Sequence, residues 1–381
     1  MSWAFIALMA CHFSSHQRLK SLDFLRLVLC LLVMTTHARR IFGVGFPVWL
    51  TKGVFDGKGG VVLFFVLSGY VLTKSLAGSP ISWESYKQFI IKRAFRLFPL
   101  YWIGLLFAFV VLTWIKYEAN GPVEDGGVVF LQQRGPCWEQ WLLHLVLLIP
   151  GMNSDFALPT VWSLTTESKV SMLAFPLYGW AILRLPAWAA VGMVVVFAIG
   201  SDYLYSNIFG TAAYMGIFGL GAVLARVPEE WWSQIPAAVW WCLLLAGGGM
   251  YSCMSLRYRL PSVWIGYYLC AAGAAVIIAC VSYWPALSRR MHALYSLVNV
   301  DLSYGIFILH YPVLLAFFKL GAGFSAPNSV VFALIAMTVT VALAWIFAHA
   351  VEIPMIKLGR RVAQPQANNV KDAPDARGFS Q

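Results

Sequence analysis

Acidic side chains are scarce in this sequence. Sixteen Asp and Glu stand against 27 Lys and Arg in 381 residues, and charged residues of both signs make up only 11%. A soluble domain carries about 25%, so the length leaves no room for a large soluble domain. Cysteine is sparse and unpatterned, with 7 residues, no C-x-x-C and no ligand-like spacing. That argues against zinc ribbons and disulfide frameworks, and no metal is expected. Cys30, Cys242, Cys253, Cys270 and Cys280 fall in apolar runs and read as small core residues. No repeat of the span pattern is visible, although transporters often have one.

What is present is apolar. The chain is 60% hydrophobic, with a mean hydropathy of +0.73. Runs such as VVLFFVLSGYVLTKSL, IGLLFAFVVLTWI and VVFALIAMTVTVALAWIFA recur from end to end, and a helix needs about 20 such residues to cross a bilayer. The sequence therefore describes an all-α integral membrane protein. Spans are expected near 22–41, 60–77, 97–115, 168–184, 187–202, 208–226, 237–254, 263–284, 301–320 and 328–351, about ten in all. The run WLLHLVLLIPG at 141–151 is too short to cross and reads as a short interfacial or re-entrant helix. The first 15 residues resemble a signal peptide only faintly, lacking a basic n-region, and read as an interfacial stub or as the product of an upstream start codon, with the stub taken to run over residues 1–21. Residues 22–358 form the helical domain, and the polar, Pro-bearing stretch 359–381 reads as a disordered cytoplasmic tail.

Ten spans put both termini on one side. A net charge of +11 would suggest nucleic acid in a soluble protein, but here cytoplasmic loops rich in Lys and Arg account for it. Sixteen of the 27 basic residues fall on the inner side and 10 on the outer, with Arg26 inside a span. The loop 39–58 runs against this bias, whereas 116–140 is acidic, as an outer loop should be. The partners expected are membrane lipids, not nucleic acid.

Several polar residues are out of place in lipid, where a charge costs at least about 2.5 kcal/mol. In the first span Asp23 and Arg26 are three apart and can pair. His37 lies eleven residues beyond Arg26 on the same face, about 16 Å along the axis. This stripe is either a structural ion pair plus an interfacial histidine, or part of a site. Lys92, Arg93 and Arg96 stand at the expected mouth of the third span, with Pro99 in its opening turn. They are either ordinary basic anchors beside the belt residues Tyr101 and Trp102, or a clamp for a phosphorylated ligand. Glu167 opens the fourth span, either as a charge favoured by the helix dipole or as an acid/base group. Around Ser68 the small residues Gly59, Gly60 and Gly69 favour close packing over a nucleophilic role. His310 and Glu352 complete the set.

Together these residues resemble the membrane-bound acyltransferase 3 family, which modifies bacterial surface glycans. The resemblance covers about residues 22–358. It is carried by Asp23, Arg26 and His37; by Phe64, Phe65, Ser68, Gly69 and Tyr70; and by Arg93, Arg96, Pro99 and Tyr101. It continues through Trp162, Ser163, Leu164 and Glu167, then Ser303, Tyr304, His310 and Pro312, and ends with Glu352 and Pro354. One departure stands out: the Phe-Tyr pair usual after the glutamate is replaced by Val170 and Ser171. Some family members also carry a periplasmic hydrolase-like domain where this sequence has a short polar tail.

The resemblance implies acyl transfer, usually of acetyl from cytoplasmic acetyl-CoA, to a sugar hydroxyl in a lipid-linked or exported glycan. It implies a bacterial inner-membrane location and contact with polysaccharide assembly machinery. His37 would be the general base or a transient acyl carrier, and Arg26 would line the conduit between donor and acceptor. Arg93, Arg96 and Lys92 would hold the coenzyme phosphates at the cytoplasmic face. Glu167 would orient His37 or bind the acceptor, and Trp162, Ser163 and Tyr70 would contact substrate. Asp23, Ser68, Tyr101, His310 and Glu352 carry structural or unassigned roles. Two other readings stand: a polysaccharide exporter without acyl-transfer chemistry, and a transferase for a longer acyl group or for a peptide or antibiotic acceptor.

Overall fold

The computed structural model describes residues 3–44, 56–118, 138–148, 160–206, 210–321 and 326–363. Among them every regular element is helical. The chain begins with α1 (Trp3–Phe42), α2 (Gly57–Leu76), α3 (Trp83–Glu118) and the short α4 (Trp138–His144). Next, α5 (Val161–Ser168) runs through a π-helical turn (Lys169–Ala174) into α6 (Phe175–Arg184). Then follow α7 (Ala187–Tyr205), a 3₁₀ turn leading into α8 (Met215–Leu224), the short α9 (Glu229–Ser233), α10 (Ala237–Ser252) and α11 (Val263–Tyr283). The last helices are α12 (Pro285–Val298), α13 (Ser303–Leu320), α14 (Ala326–Phe347) and, after a second π turn (Ala348–Glu352), α15 (Ile353–Val362).

Eight helices among the described residues are long and apolar enough to cross a bilayer, and each coincides with an expected span. The expected spans 168–184 and 208–226 correspond to the π-interrupted helix from Val161 to Arg184 and to the shorter apolar helix Gly210–Leu224. The all-α membrane architecture is therefore that of the structure. α4 covers the start of the 141–151 run, and residues 149–151 lie outside the described residues, as does the tail beyond 363. Residues 3–21 belong to α1 and continue its helix toward the N-terminus.

Membrane helices lack the strong apolar-polar contrast of soluble ones, because lipid and core accept the same side chains. Packing therefore has to be read from burial. α7, α10 and α14 keep large apolar side chains on the outside, among them Trp188, Ile199, Leu245 and Trp345, and these faces meet lipid. α1 divides its burial between two cores. Leu22, Leu25 and Leu29 pack with α2, α8 and α11, while Leu27, Cys30, Met34 and Ala38 pack with α3, α13 and α14. A helix shared by two cores lines whatever space is left between them.

Close approach fixes α2 against α8. A Cβ on Gly69 would lie 1.9 Å from the Phe218 carbonyl oxygen, and one on Gly221 would lie 1.9 Å from the Val66 carbonyl oxygen. Backbone therefore meets backbone on both sides, which is the use of small residues in membrane helices. At the other end of α2, the Asp56 carboxylate accepts from the Lys58 and Gly59 amides at 2.9 and 3.4 Å, an N-terminal cap. Arg257 holds the same carboxylate at 2.9 Å.

Candidate active site

A cavity opens between the two cores, with an enclosed space of about 120 Å³, lined from α1, α2, α3, α5 and α13. Its polar wall carries Arg26, Arg93, Arg96, Ser68, Glu167 and Ser303, and its apolar wall includes Phe64, Phe65, Leu97 and Phe307. Three arginines, three serines (Ser163 with Ser68 and Ser303) and a glutamate from five helices converge where lipid alone would favour none of them.

Each arginine has an acidic partner. Arg26 donates to the Asp23 carboxylate at 2.6 Å, one helix turn away. Arg96 lies 3.3 Å from Asp301, and its side chain is 40% exposed. Arg93 is the most enclosed, with 11% side-chain exposure, and is held from two sides. Its Nη2 donates to Glu167 Oε1 at 2.8 Å and its Nε to Ser171 Oγ at 2.7 Å. Ser68 Oγ donates to the same Glu167 oxygen at 3.1 Å. Ser171 sits in the π turn after α5. The wider turn follows Glu167, so both residues reach Arg93 from one helix.

These positions correct two expectations, on α3 and on Glu167. α3 begins at Trp83, so Arg93 and Arg96 lie about 15 and 20 Å inside it, and Pro99 is in the helix interior instead of an opening turn. Lys92 is exposed and does not line the cavity. Glu167 is bonded to Arg93 and Ser68, not to His37. The physical reason is shared: α3 and α5 both begin earlier than the apolar runs suggested, which brings an acid and a base from opposite ends to one depth. A third correction concerns the cysteines. Cys242 is exposed instead of in the core, whereas Cys30 is a core residue that also lines the cavity, its thiol donating to the Ser303 carbonyl at 3.0 Å.

His37 does not line this cavity. Two to three turns farther along α1 than the Arg26–Cys30 wall, its ring lies 5.4 Å from that of His310 and 5.4 Å, edge-on, from that of Tyr311. Phe307 bridges the two places, because it lines the cavity and its ring is 6.1 Å from His310 and 6.4 Å from Phe64. The Phe64–Phe307 pair therefore packs between the cavity and the His37–His310 pair.

The remaining expected residues divide. Ser163 lines the cavity and its hydroxyl donates to the Thr160 carbonyl at 2.9 Å. Trp162 packs beside Phe65 and Tyr214. Tyr70 is buried, with its hydroxyl 2.8 Å from that of Tyr283, and is not part of the cavity wall. Tyr101 is fully buried with its hydroxyl unpaired among the described residues. Glu352 is buried at the end of the second π turn, with Oε2 unpaired among the described residues. Two residues were missed by sequence reasoning. Ser171 was visible only as a departure from the family pattern. Asp301 caps α13 through the Ser303 amide (3.1 Å) and hydroxyl (2.5 Å) while reaching Arg96, and an Asp two residues before a helix start was its available signal. Among the described residues no group of three or more His, Cys, Asp or Glu could hold a metal ion.

The acyltransferase domain that defines the acyltransferase 3 family matches residues 19–349. The chain is 24% identical over 350 residues to "Nodulation protein 10" of Rhizobium leguminosarum bv. viciae, covering 81% of this chain and 86% of that one. It is 25% identical over 312 residues to "O-acetyl transferase" of Shigella phage Sf6, covering 76% and 83%. Over 332 residues it is 25% identical to "Putative peptidoglycan O-acetyltransferase YrhL" of Bacillus subtilis (strain 168), covering 78% of this chain and 49% of that longer protein. No solved structure matches this chain. The chain belongs to the acyltransferase 3 family and is a multi-pass membrane acyltransferase.

Proposed function

We propose that the protein transfers an acetyl group from cytoplasmic acetyl-CoA to a sugar hydroxyl of an exopolysaccharide, capsule or lipopolysaccharide, or of its lipid-linked precursor, in a bacterial inner membrane. The observation that supports this reading is a cavity walled by three arginines whose lining residue Phe307 packs against His310, the ring neighbour of His37.

The distances support a division of roles. A base must reach the hydroxyl proton it takes, and that hydroxyl must reach the carbonyl it attacks, whereas Arg26 is about 16 Å from His37 along α1. The arginines therefore serve the donor's arm and phosphates, and the thioester is delivered past Phe307 to His37. A space of about 120 Å³ holds about four waters at ~30 Å³ each, room for the acyl end. The nucleotide end then stays outside the cavity, toward the half-exposed Arg96 and the exposed Lys92. At His37 the imidazole takes the proton of the acceptor hydroxyl as its oxygen attacks the thioester carbonyl. The C–S bond breaks and the departing thiolate receives that proton, so atoms and charge balance. Names of the relatives support acetyl as the group: two of the three print O-acetyl transfer, and one of them prints peptidoglycan.

The test compares wild type, a deletion strain, and the deletion rescued with His37→Ala. Ester-linked acetate on purified surface polysaccharide, total polysaccharide and membrane protein level are measured in each. Acetate lost from deletion and variant at constant polysaccharide and protein supports the reading. Unchanged acetate with a fall in polysaccharide yield favours the exporter.

A further inference from the structure

We infer that His310 is a positioning residue for the acyl-transfer step: its Nε2 accepts the Nδ1 proton of His37, directly or through one water, so that His37 presents Nε2 to the acceptor hydroxyl. The inference rests on His37 being the reacting imidazole.

Four observations carry it. His310 is fully buried. Its Nδ1 lies 2.9 Å from the Ile306 carbonyl one turn back, and a carbonyl can only accept. Neutral His310 therefore holds its proton on Nδ1, which leaves Nε2 as a bare acceptor. That Nε2 is buried with no partner among the described residues, and so is Nδ1 of His37 in the adjoining ring. An unmade hydrogen bond costs about 1–3 kcal/mol at each buried group. Two such groups on neighbouring rings, one tautomer already fixed as an acceptor, complete each other once His37 carries its proton on Nδ1.

The arrangement does what an orienting carboxylate does for a catalytic histidine, with a neutral ring in place of the acid. When His37 has taken the hydroxyl proton on Nε2, the imidazolium carries N–H on both nitrogens, and His310 Nε2 receives the inner one. Tyr311, edge-on to His37 at 5.4 Å, and Phe307, 6.1 Å from His310, restrict both rings from turning. His310 needs no contact with donor or acceptor for this role.

The test uses the full-length protein in lipid nanodiscs with three variants. His310→Gln places an amide acceptor near the position of Nε2, His310→Phe keeps the ring and removes the acceptor, and His310→Ala serves if the phenyl ring does not fit. Selective ¹⁵N-histidine spectra read the tautomer of His37, assigned by its loss in His37→Ala. Steady-state transfer to a glycan acceptor reads kcat and KM. Wild type and Gln should hold His37 with its proton on Nδ1, whereas Phe and Ala give a mixture of tautomers. The kcat of Phe or Ala should fall about 100-fold with KM unchanged, and Gln should recover most of it. The inference is overturned if His37 keeps one tautomer in the Phe or Ala variant, or if Gln is as slow as Phe at equal folded protein. A wild-type protein that transfers no acyl group sinks the proposed function instead, and the spectra then still decide the role of His310.

Discussion

Removing Arg93 or Glu167 singly should destabilise the protein, and removing both together should restore its stability without restoring acyl transfer. The reasoning starts from their exposure, 11% and 27% of the side chains, at a contact of 2.8 Å. Breaking a buried pair by deleting one partner costs about 3–5 kcal/mol, since the other charge is left without compensation. Glu167 keeps some solvent access and the Ser68 hydroxyl, so the lower figure of about 3 kcal/mol applies to Arg93→Met. In a chain of this size that lowers the unfolding midpoint by about 5 °C. Glu167→Ala should cost as much or more, because it strands the better-buried guanidinium. The double variant Arg93→Met/Glu167→Leu removes both charges and should return to within about 1 kcal/mol of wild type, as apolar replacements of buried pairs do. Catalysis should not return, because a positioned donor contributes about 100-fold or more. The assay is thermal unfolding in detergent, followed by fluorescence size exclusion, beside acetate transfer in matched membranes. A double variant that recovers both stability and transfer refutes the argument, since Arg93 and Glu167 would then be structural alone.

Other outcomes follow from the same geometry. Ser171→Ala removes the Nε acceptor of Arg93 and should slow transfer about 10-fold, a loss near 1.4 kcal/mol, with Ser171→Thr retaining most activity. Gly69→Ala should sharply lower the amount of membrane-inserted protein on an immunoblot, since its Cβ would lie 1.9 Å from a backbone oxygen that cannot move aside, and overpacking costs about 1–3 kcal/mol, more where backbone must shift. Gly248→Ala, with nothing within 4 Å, should instead be neutral or gain up to about 1 kcal/mol in unfolding measurements. Cys30→Phe should fill the cavity behind Arg26 and abolish transfer at normal expression, whereas Cys242→Phe, on an exposed face, should leave transfer unchanged.

The sequence alone determined the solvent of this protein and most of its helices. Runs of about 20 apolar residues have no other outcome than spanning helices, so the spans were readable without any knowledge of their neighbours. The stripe of Asp23, Arg26 and His37 was readable for the same reason, because charges in such a run need a partner or a cavity and helical spacing is local. The sequence could not give depth or partnership. Helices α3 and α5 extend past their apolar runs into polar residues that hydropathy reads as loop, so Arg93 and Glu167 were assigned to opposite faces although they meet at 2.8 Å. Ser171 gained its role only through a π turn, which changes the face a residue occupies without any marker in composition. The pairing of His37 with His310, 273 positions apart in the chain, depends on how α1 packs against α13. Lipid rewards no particular face of an apolar helix, so only close packing, glycine contacts and the buried polar groups themselves decide which helices are neighbours.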